Sequence, residues 1–169
     1  MRTYLKWLLP VLVLGMLSYL AWGFRAKLTR KQEVAERIQH MPTFRAEGIN
    51  HVLLTNDSLA HVPAVLVFFD PDCDHCQREA DELSKKATTL APAQVLLLSS
   101  APLPALSTFA KVHKLTNVPN LRVAHIDRQV AYDTFGFASV PDVLIYHADG
   151  SLAKRFKGET SVEAIRRQL

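Results

Sequence analysis

The chain's only two cysteines, Cys73 and Cys76, stand two residues apart in the stretch VFFDPDCDHCQREADEL, residues 67–83. A Cys-x-x-Cys pair can cycle between dithiol and disulfide or supply half of a tetrahedral zinc site. A single pair leaves a structural zinc two ligands short and cannot staple a chain of 169 residues, so redox chemistry is the favoured reading. An apolar block runs into the motif and a charged, helix-like segment leaves it. The first sulfur is therefore expected at a helix N-terminus, where unpaired N–H groups and the macrodipole favour a thiolate. That assigns Cys73 as nucleophile. Cys76, one turn further in, is expected to be shielded and to resolve a mixed disulfide on Cys73.

The same stretch rules out calcium. Asp70, Asp72, Asp74 and Asp81 fall at positions one, three, five and twelve of an EF-hand loop, but His75 stands where the obligatory glycine belongs. The other histidines, His40, His51, His61, His113 and His125, show no ligand spacing and read as surface residues.

The elements that must position the pair can be read outward from it. HVLLT is a short strand, AVLVFF a buried strand, and residues 76–90 a helix. QVLLLSS is a third strand, LPALSTFAKVHKL a helix introduced by Pro104, LRVAHI a strand, and QVAYDTFG a helix closed by Gly136. DVLIYH and LAKRFKG flank the turn ADGS as a hairpin, and SVEAIRRQL is a terminal helix capped by Thr160 or Ser161. A parallel βαβ unit followed by a hairpin and a helix predicts an α/β sandwich around a mixed sheet.

Ahead of this pattern, residues 7–24 carry no charge, and their 18 residues reach the length that spans a bilayer core. Trp7, Tyr19 and Trp22 sit toward the ends as an aromatic belt would. No clear small-x-small site follows, so an uncleaved signal anchor is expected over residues 1–24. Residues 25–41 read as a helical juxtamembrane stalk ended by Pro42, leaving 42–169 as the folded domain. Basic residues flank both ends of the span, and a cytosolic thiol protein needs no anchor, so the domain is expected to face an oxidising compartment.

Composition agrees with a folded chain: 49% hydrophobic and 21% charged residues, with a net charge of +4. The basic residues lie near the two termini rather than in one patch, which speaks against nucleic acid.

These features together resemble the thioredoxin fold, and within it the membrane-anchored thiol-disulfide oxidoreductases of the TlpA and ResA type. The resemblance is carried by PTF, by VLVFF before the motif, by CDHC, by SVPDVLIYHADGSLAKRFKG and by the apolar segment in front. It implies a thioredoxin-like three-layer sandwich preceded by one transmembrane helix, with no cofactor beyond a redox-active Cys73–Cys76 disulfide. It also implies protein thiol or disulfide substrates, an upstream electron donor, and a place on the outer face of a bacterial inner membrane. Pro141 then matches the family's cis-proline, which with Val140 borders the disulfide and binds an extended substrate strand. Glu79 matches a glutamate that such reductases keep near the sulfurs to take the Cys76 proton. On residue type alone, Glu79 could equally be a solvated helix residue paired with Lys or Arg.

The motif departs from the family in lacking Trp before the first cysteine and Pro between the two. A cationic His75 lowers the Cys73 pKa while Asp72 and Asp74 raise it, so modest thiolate stabilisation and a reductase-like potential are expected. The alternatives are a non-catalytic thioredoxin-fold binding module or a copper-delivery protein resembling the Sco family. That family spaces its cysteines by three residues, and here only His75 or His147 could add a third ligand. The proline and threonine setting of a peroxiredoxin is absent.

Overall fold

The structure is a computed structural model describing residues 2–169, with side chains described for residues 12–25, 28–29 and 32–169. It separates into two compact units, residues 1–36 and 37–169.

The first unit is the helix α1 (Arg2–Arg37), unbroken between the expected anchor and stalk. Part of the expected span, residues 7–11, lies outside the described side chains. Among the described residues no helix is long and apolar enough to cross a membrane. From Leu12 to Phe24, however, its apolar side chains are exposed, Leu14 at 64% and Trp22 at 71%.

The second unit begins ahead of Pro42. Ile38 is buried, His40 bridges to Ser151, and the Met41 N–H donates to the Gly150 carbonyl at 2.8 Å. Its elements are β1 (Arg45–Gly48), β2 (Leu53–Thr55), β3 (Ala64–Phe68), α2 (Asp74–Lys86) and β4 (Gln94–Ser99). There follow α3 (Leu103–Val112), β5 (Leu121–His125), α4 (Arg128–Phe135), β6 (Asp142–Tyr146), β7 (Leu152–Lys157) and α5 (Val162–Arg166).

The sheet order is β2-β1-β5-β4-β3-β6-β7. Parallel pairing joins β3, β4 and β5, and the remaining pairs are antiparallel, so the sheet is mixed as expected. β3 and β6 are buried at every position, which is why β3, and β6 after its first residue Asp142, read as continuous apolar runs rather than alternations. One face, with Val65, Val67 and Val95, packs on α2, α3 and α5 through Leu83, Phe109 and Ile165. The opposite face carries Phe68, whose ring stacks on Phe137 at 4.9 Å, and Phe137 stacks on Phe135 of α4 at 5.1 Å. Sheet and two helical coverings make the three layers.

Three local expectations change. β1 goes unread in the sequence because its inward positions are the small residues Ala46 and Gly48, which carry little apolar signal. HVLLT becomes a strand only at Leu53, since His51 takes a left-handed φ of 61° in the preceding turn. The helix expected over 76–90 starts at Asp74, and its last turn, Ala87–Leu90, tightens to 3-10 geometry. α3 and α5 each end three residues before their expected ends, at Val112 and Arg166, and the other boundaries agree within a residue or two, including the Ser161 cap of α5 and the left-handed Gly136 closing α4.

Candidate redox active site

β3 delivers the chain to the end of the sheet, and a short turn redirects it into α2. Asp70 builds that turn: its Oδ1 accepts the Asp72 N–H at 3.0 Å and its carbonyl accepts the Cys73 N–H at 3.1 Å. Cys73 occupies the N-cap of α2 with extended backbone, φ −93° and ψ 118°, and its carbonyl accepts the Gln77 N–H at 3.0 Å. Its side chain is half-buried and makes no capping hydrogen bond, so the sulfur is both accessible and set among the unpaired N–H groups of the first turn.

Cys76 lies one turn on and is 2% exposed; both cysteines are free thiols. Burial pushes the Cys76 thiol well above its ordinary range, an Asp70 N–H aimed at the sulfur opposes this, and a hydrogen bond with Cys73 reinforces it. Cys76 is therefore the sulfur that keeps its proton, donating it toward Cys73.

Glu79 is the next residue on that face of α2 and is also 2% exposed. Neither carboxyl oxygen has a hydrogen-bond partner, and the Thr160 N–H faces the group from outside hydrogen-bonding geometry. Burial, with the nearby Glu159 and Glu82 charges, raises its pKa to about 8. The solvated, ion-paired alternative for this residue is overturned, because the carboxyl is buried and among the described residues no cation reaches it. Arg78 pairs with Glu159, and Lys86 pairs with Glu82 and Glu163.

His75 is exposed and turned away from a simple role beside Cys73. Its Nδ1 sits 2.7 Å from Glu159 Oε2, and Arg78 reaches the same carboxylate at 2.8 Å through Nη2 and 3.2 Å through Nε. Those two partners hold Glu159 down to about 2. Asp72 and Asp74 are both exposed at the mouth of the site, and the Asp74 charge also acts on Arg78. Arg78 and Glu159 are site residues that sequence reasoning missed, for a plain reason: Glu159 lies 84 residues from His75, and no local spacing connects them.

Pro141 is buried and the Val140–Pro141 bond is cis; Ala91–Pro92 is a second cis bond where none was anticipated. Asp142 pairs with Phe68 across the sheet, so Pro141 falls at the strand end where β3 departs toward Cys73. Val140 packs partly buried against the same core as Cys73. Behind Pro141 is another pair missed in the sequence. Buried Asp142 takes Arg155 at 2.9 and 2.6 Å, and the same guanidinium donates to the carbonyls of Phe135 and Gly136.

The expected surface histidines need correction. His113 is half-buried, with Nδ1 2.7 Å from Asp81 and its ring 4.3 Å from Phe109, and His125 is half-buried with Nδ1 2.9 Å from the Ala101 carbonyl. His147 follows the end of β6 opposite Asp142, so it is not brought to the sulfurs as a copper ligand. Among the described residues no cluster of three or more His, Cys, Asp or Glu could hold a metal. A cavity of about 470 Å³ is remote from the chemistry, between β1, β2 and β5. Beside the motif there is instead an open groove of about 350 Å³ lined by Pro71, Asp72, Gln77, Phe109 and His113.

Comparison with known proteins bears on this arrangement. Residues 58–169 match the model of the thioredoxin-like domain family. A secreted Mycobacterium tuberculosis disulfide oxidoreductase, homologous to E. coli DsbE, superposes with a TM-score of 0.63 at 25% identity, over 79% of this chain and 96% of that one. MTB dsbF gives 0.65 at 21% identity, over 78% of this chain and 93% of that one. StoA from Bacillus subtilis gives 0.63 at 12% identity, over 77% and 98%. At the last two identities the likeness speaks to the fold alone. None of the curated proteins matches the chain.

Proposed function

Because this chain belongs to the thioredoxin-like domain family, we propose that it is a thiol-disulfide oxidoreductase working through Cys73 and Cys76 on protein substrates. One observation carries the reading. An accessible Cys73 caps α2, a buried Cys76 lies directly behind it, and an unpartnered buried carboxyl, Glu79, follows one turn later.

In the exchange, the Cys73 thiolate attacks a client disulfide and joins one client sulfur, while the other leaves as thiolate and takes a proton from water. Cys76 then gives its proton to Glu79 in the fraction of molecules where that carboxyl is ionised, a fraction that a pKa of about 8 keeps appreciable near neutral pH, and attacks the Cys73 sulfur. The Cys73–Cys76 disulfide forms, and the second client sulfur leaves as thiolate. Two electrons pass from the pair to the client. A dithiol donor restores the pair by the reverse path, in which protonated Glu79 returns the proton to Cys76. A carboxyl that titrates at about 8 can serve both halves, since an acid-base group works best with a pKa near the working pH. Val140 and Pro141 form the wall along which an extended client segment lies.

The direction we assign is reduction of clients. A strong oxidant needs its reduced state stabilised by positive charge near the first sulfur. Here the exposed Asp72 and Asp74 flank Cys73 in the chain, and Arg78, the α2 cation whose charge reaches Cys73, is paired with Glu159. The proposed setting is the outer face of a bacterial inner membrane, with residues 7–24 as anchor. It is supported by the uncharged run and by the exposed apolar side chains of α1, which call for an apolar surround.

Reduction of insulin by dithiothreitol in the presence of the full chain tests the activity. Acceleration that is lost in Cys73→Ser supports exchange. No acceleration favours the non-catalytic binding module. Equilibration of the pair with glutathione tests direction, and a potential above the glutathione couple would make the protein an oxidant.

A further inference from the structure

Three successive residues after β7 touch three separate parts of the site. The Gly158 N–H donates to the Pro141 carbonyl at 2.8 Å, with Gly158 at a φ of +91° that a residue with a side chain adopts only under strain. Glu159 binds His75 and Arg78 on the first turns of α2. Thr160 is 6% exposed, faces Glu79 with its N–H, and closes the turn by donating from Oγ1 to the Gly158 carbonyl at 2.9 Å. Beyond it the chain is held again, where the Val162 N–H meets Glu82 Oε1 at 3.3 Å and Lys86 pairs with Glu163 at 2.7 Å.

We propose that Glu159 is a positioning residue of the exchange site, strapping segment 158–160 to α2 so that it seals the Glu79 carboxyl from water. The inference rests on the proposed proton exchange between Glu79 and Cys76 and adds what keeps Glu79 ready for it. A carboxyl with no partner is tolerated in the interior only while protonated, and an entering water would relieve that constraint. The strap lies against it, with the buried Thr160 turning its N–H toward the carboxyl. Among the described residues its fastening to α2 is the Glu159 carboxylate, which takes the Arg78 guanidinium through Nε and Nη2 in a charge-assisted pair that fixes position well, with His75 Nδ1 2.7 Å from the same carboxylate.

The charges around Glu79 agree in sign. Glu82 on α2 and Glu159 on the strap disfavour its ionisation, as does a thiolate at Cys73 or Cys76. The cations Arg78 and Lys86 are taken up by Glu159, Glu82 and Glu163. Removing the Glu159 charge eliminates one repulsion, frees Arg78 and loosens the strap, and all three effects favour the Glu79 carboxylate. Since the pairs are 38 to 63% exposed, their loss leaves the fold standing.

The test uses the full chain with 5-thio-2-nitrobenzoate attached to Cys73, following its release by Cys76 as a function of pH, together with a ¹³C NMR titration of the Glu79 carboxyl. In Glu159→Gln both midpoints should move acidward by about one pH unit, and Glu79→Gln/Glu159→Gln should match Glu79→Gln alone. Unmoved midpoints in Glu159→Gln, with a profile that Glu79→Gln does flatten, would overturn the strap and leave the exchange mechanism intact. A profile that Glu79→Gln leaves unchanged would remove Glu79 from the mechanism, and the strap's role with it.

Discussion

The carboxyl of Glu79 is buried one helical turn beyond the thiol of Cys76, and it has no hydrogen-bond partner. Two groups that both prefer to stay protonated thus share one apolar face of α2, the same face that packs Ala80 and Leu83 into the core. The arrangement is costly for stability and useful for chemistry, because either group can ionise only by passing its proton to a neighbour or to water.

That cost predicts a pH dependence. Unfolded, Glu79 loses its proton near its ordinary 4.5; folded, it keeps the proton to about 8. Between those values the unfolded state binds fewer protons, so burial of Glu79 makes stability fall as pH rises from about 5 to 8, by on the order of 4 kcal/mol. Glu79→Gln should flatten most of this slope and be the more stable protein at pH 8. Urea unfolding of the reduced protein at pH 5 and pH 8 measures both, and equal slopes in the two proteins would contradict the retained proton.

Unequal exposure of the sulfurs predicts unequal trapping. Cys76→Ser should accumulate mixed disulfides on Cys73, visible as reductant-sensitive adducts by non-reducing electrophoresis. Cys73→Ser should show few, since the remaining thiol is 2% exposed. The opposite pattern would reverse the assigned roles.

Asp142 and Arg155 behind Pro141 predict a stability effect distant from the sulfurs. Arg155→Met leaves a 1% exposed carboxylate and the carbonyls of Phe135 and Gly136 without their donor, which should cost about 3–5 kcal/mol. Adding Asp142→Asn should recover part of the loss, because the stranded charge is gone. Chemical denaturation of the single and double variants decides it; an additive pair would mean that the ion pair is not the unit.

The proposed topology has its own readout. Alkaline phosphatase fused after Leu169 should be active in a bacterial host, and a cytoplasmic fluorescent reporter at the same position should be dark. The reverse would put the domain on the inner face.

Features encoded by neighbouring residues were legible in the chain. The spacing of Cys73 and Cys76, the apolar runs of β3 and β6, the Asp149-Gly150 turn and the Gly136 cap all act within one turn or one strand, where period, propensity and capping are local. The mixed sheet followed from the order of those elements. β1 escaped because Ala46 and Gly48 are too small to register as an apolar pattern. A Cβ on Gly48 would lie 2.7 Å from Asn50 Oδ1.

Charge environments could not be read the same way. The sequence by itself determined that Cys73 starts a helix, that Cys76 and Glu79 share one of its faces, and that His75 and the aspartates lie nearby. Only the tertiary structure decided that this face turns inward, leaving Glu79 unpaired, and that His75 and Arg78 are drawn to a glutamate 84 and 81 residues away. Burial and Coulomb energy depend on distances through space, and those are set by the closure of the sheet, which brings the end of β7 back against the first turn of α2.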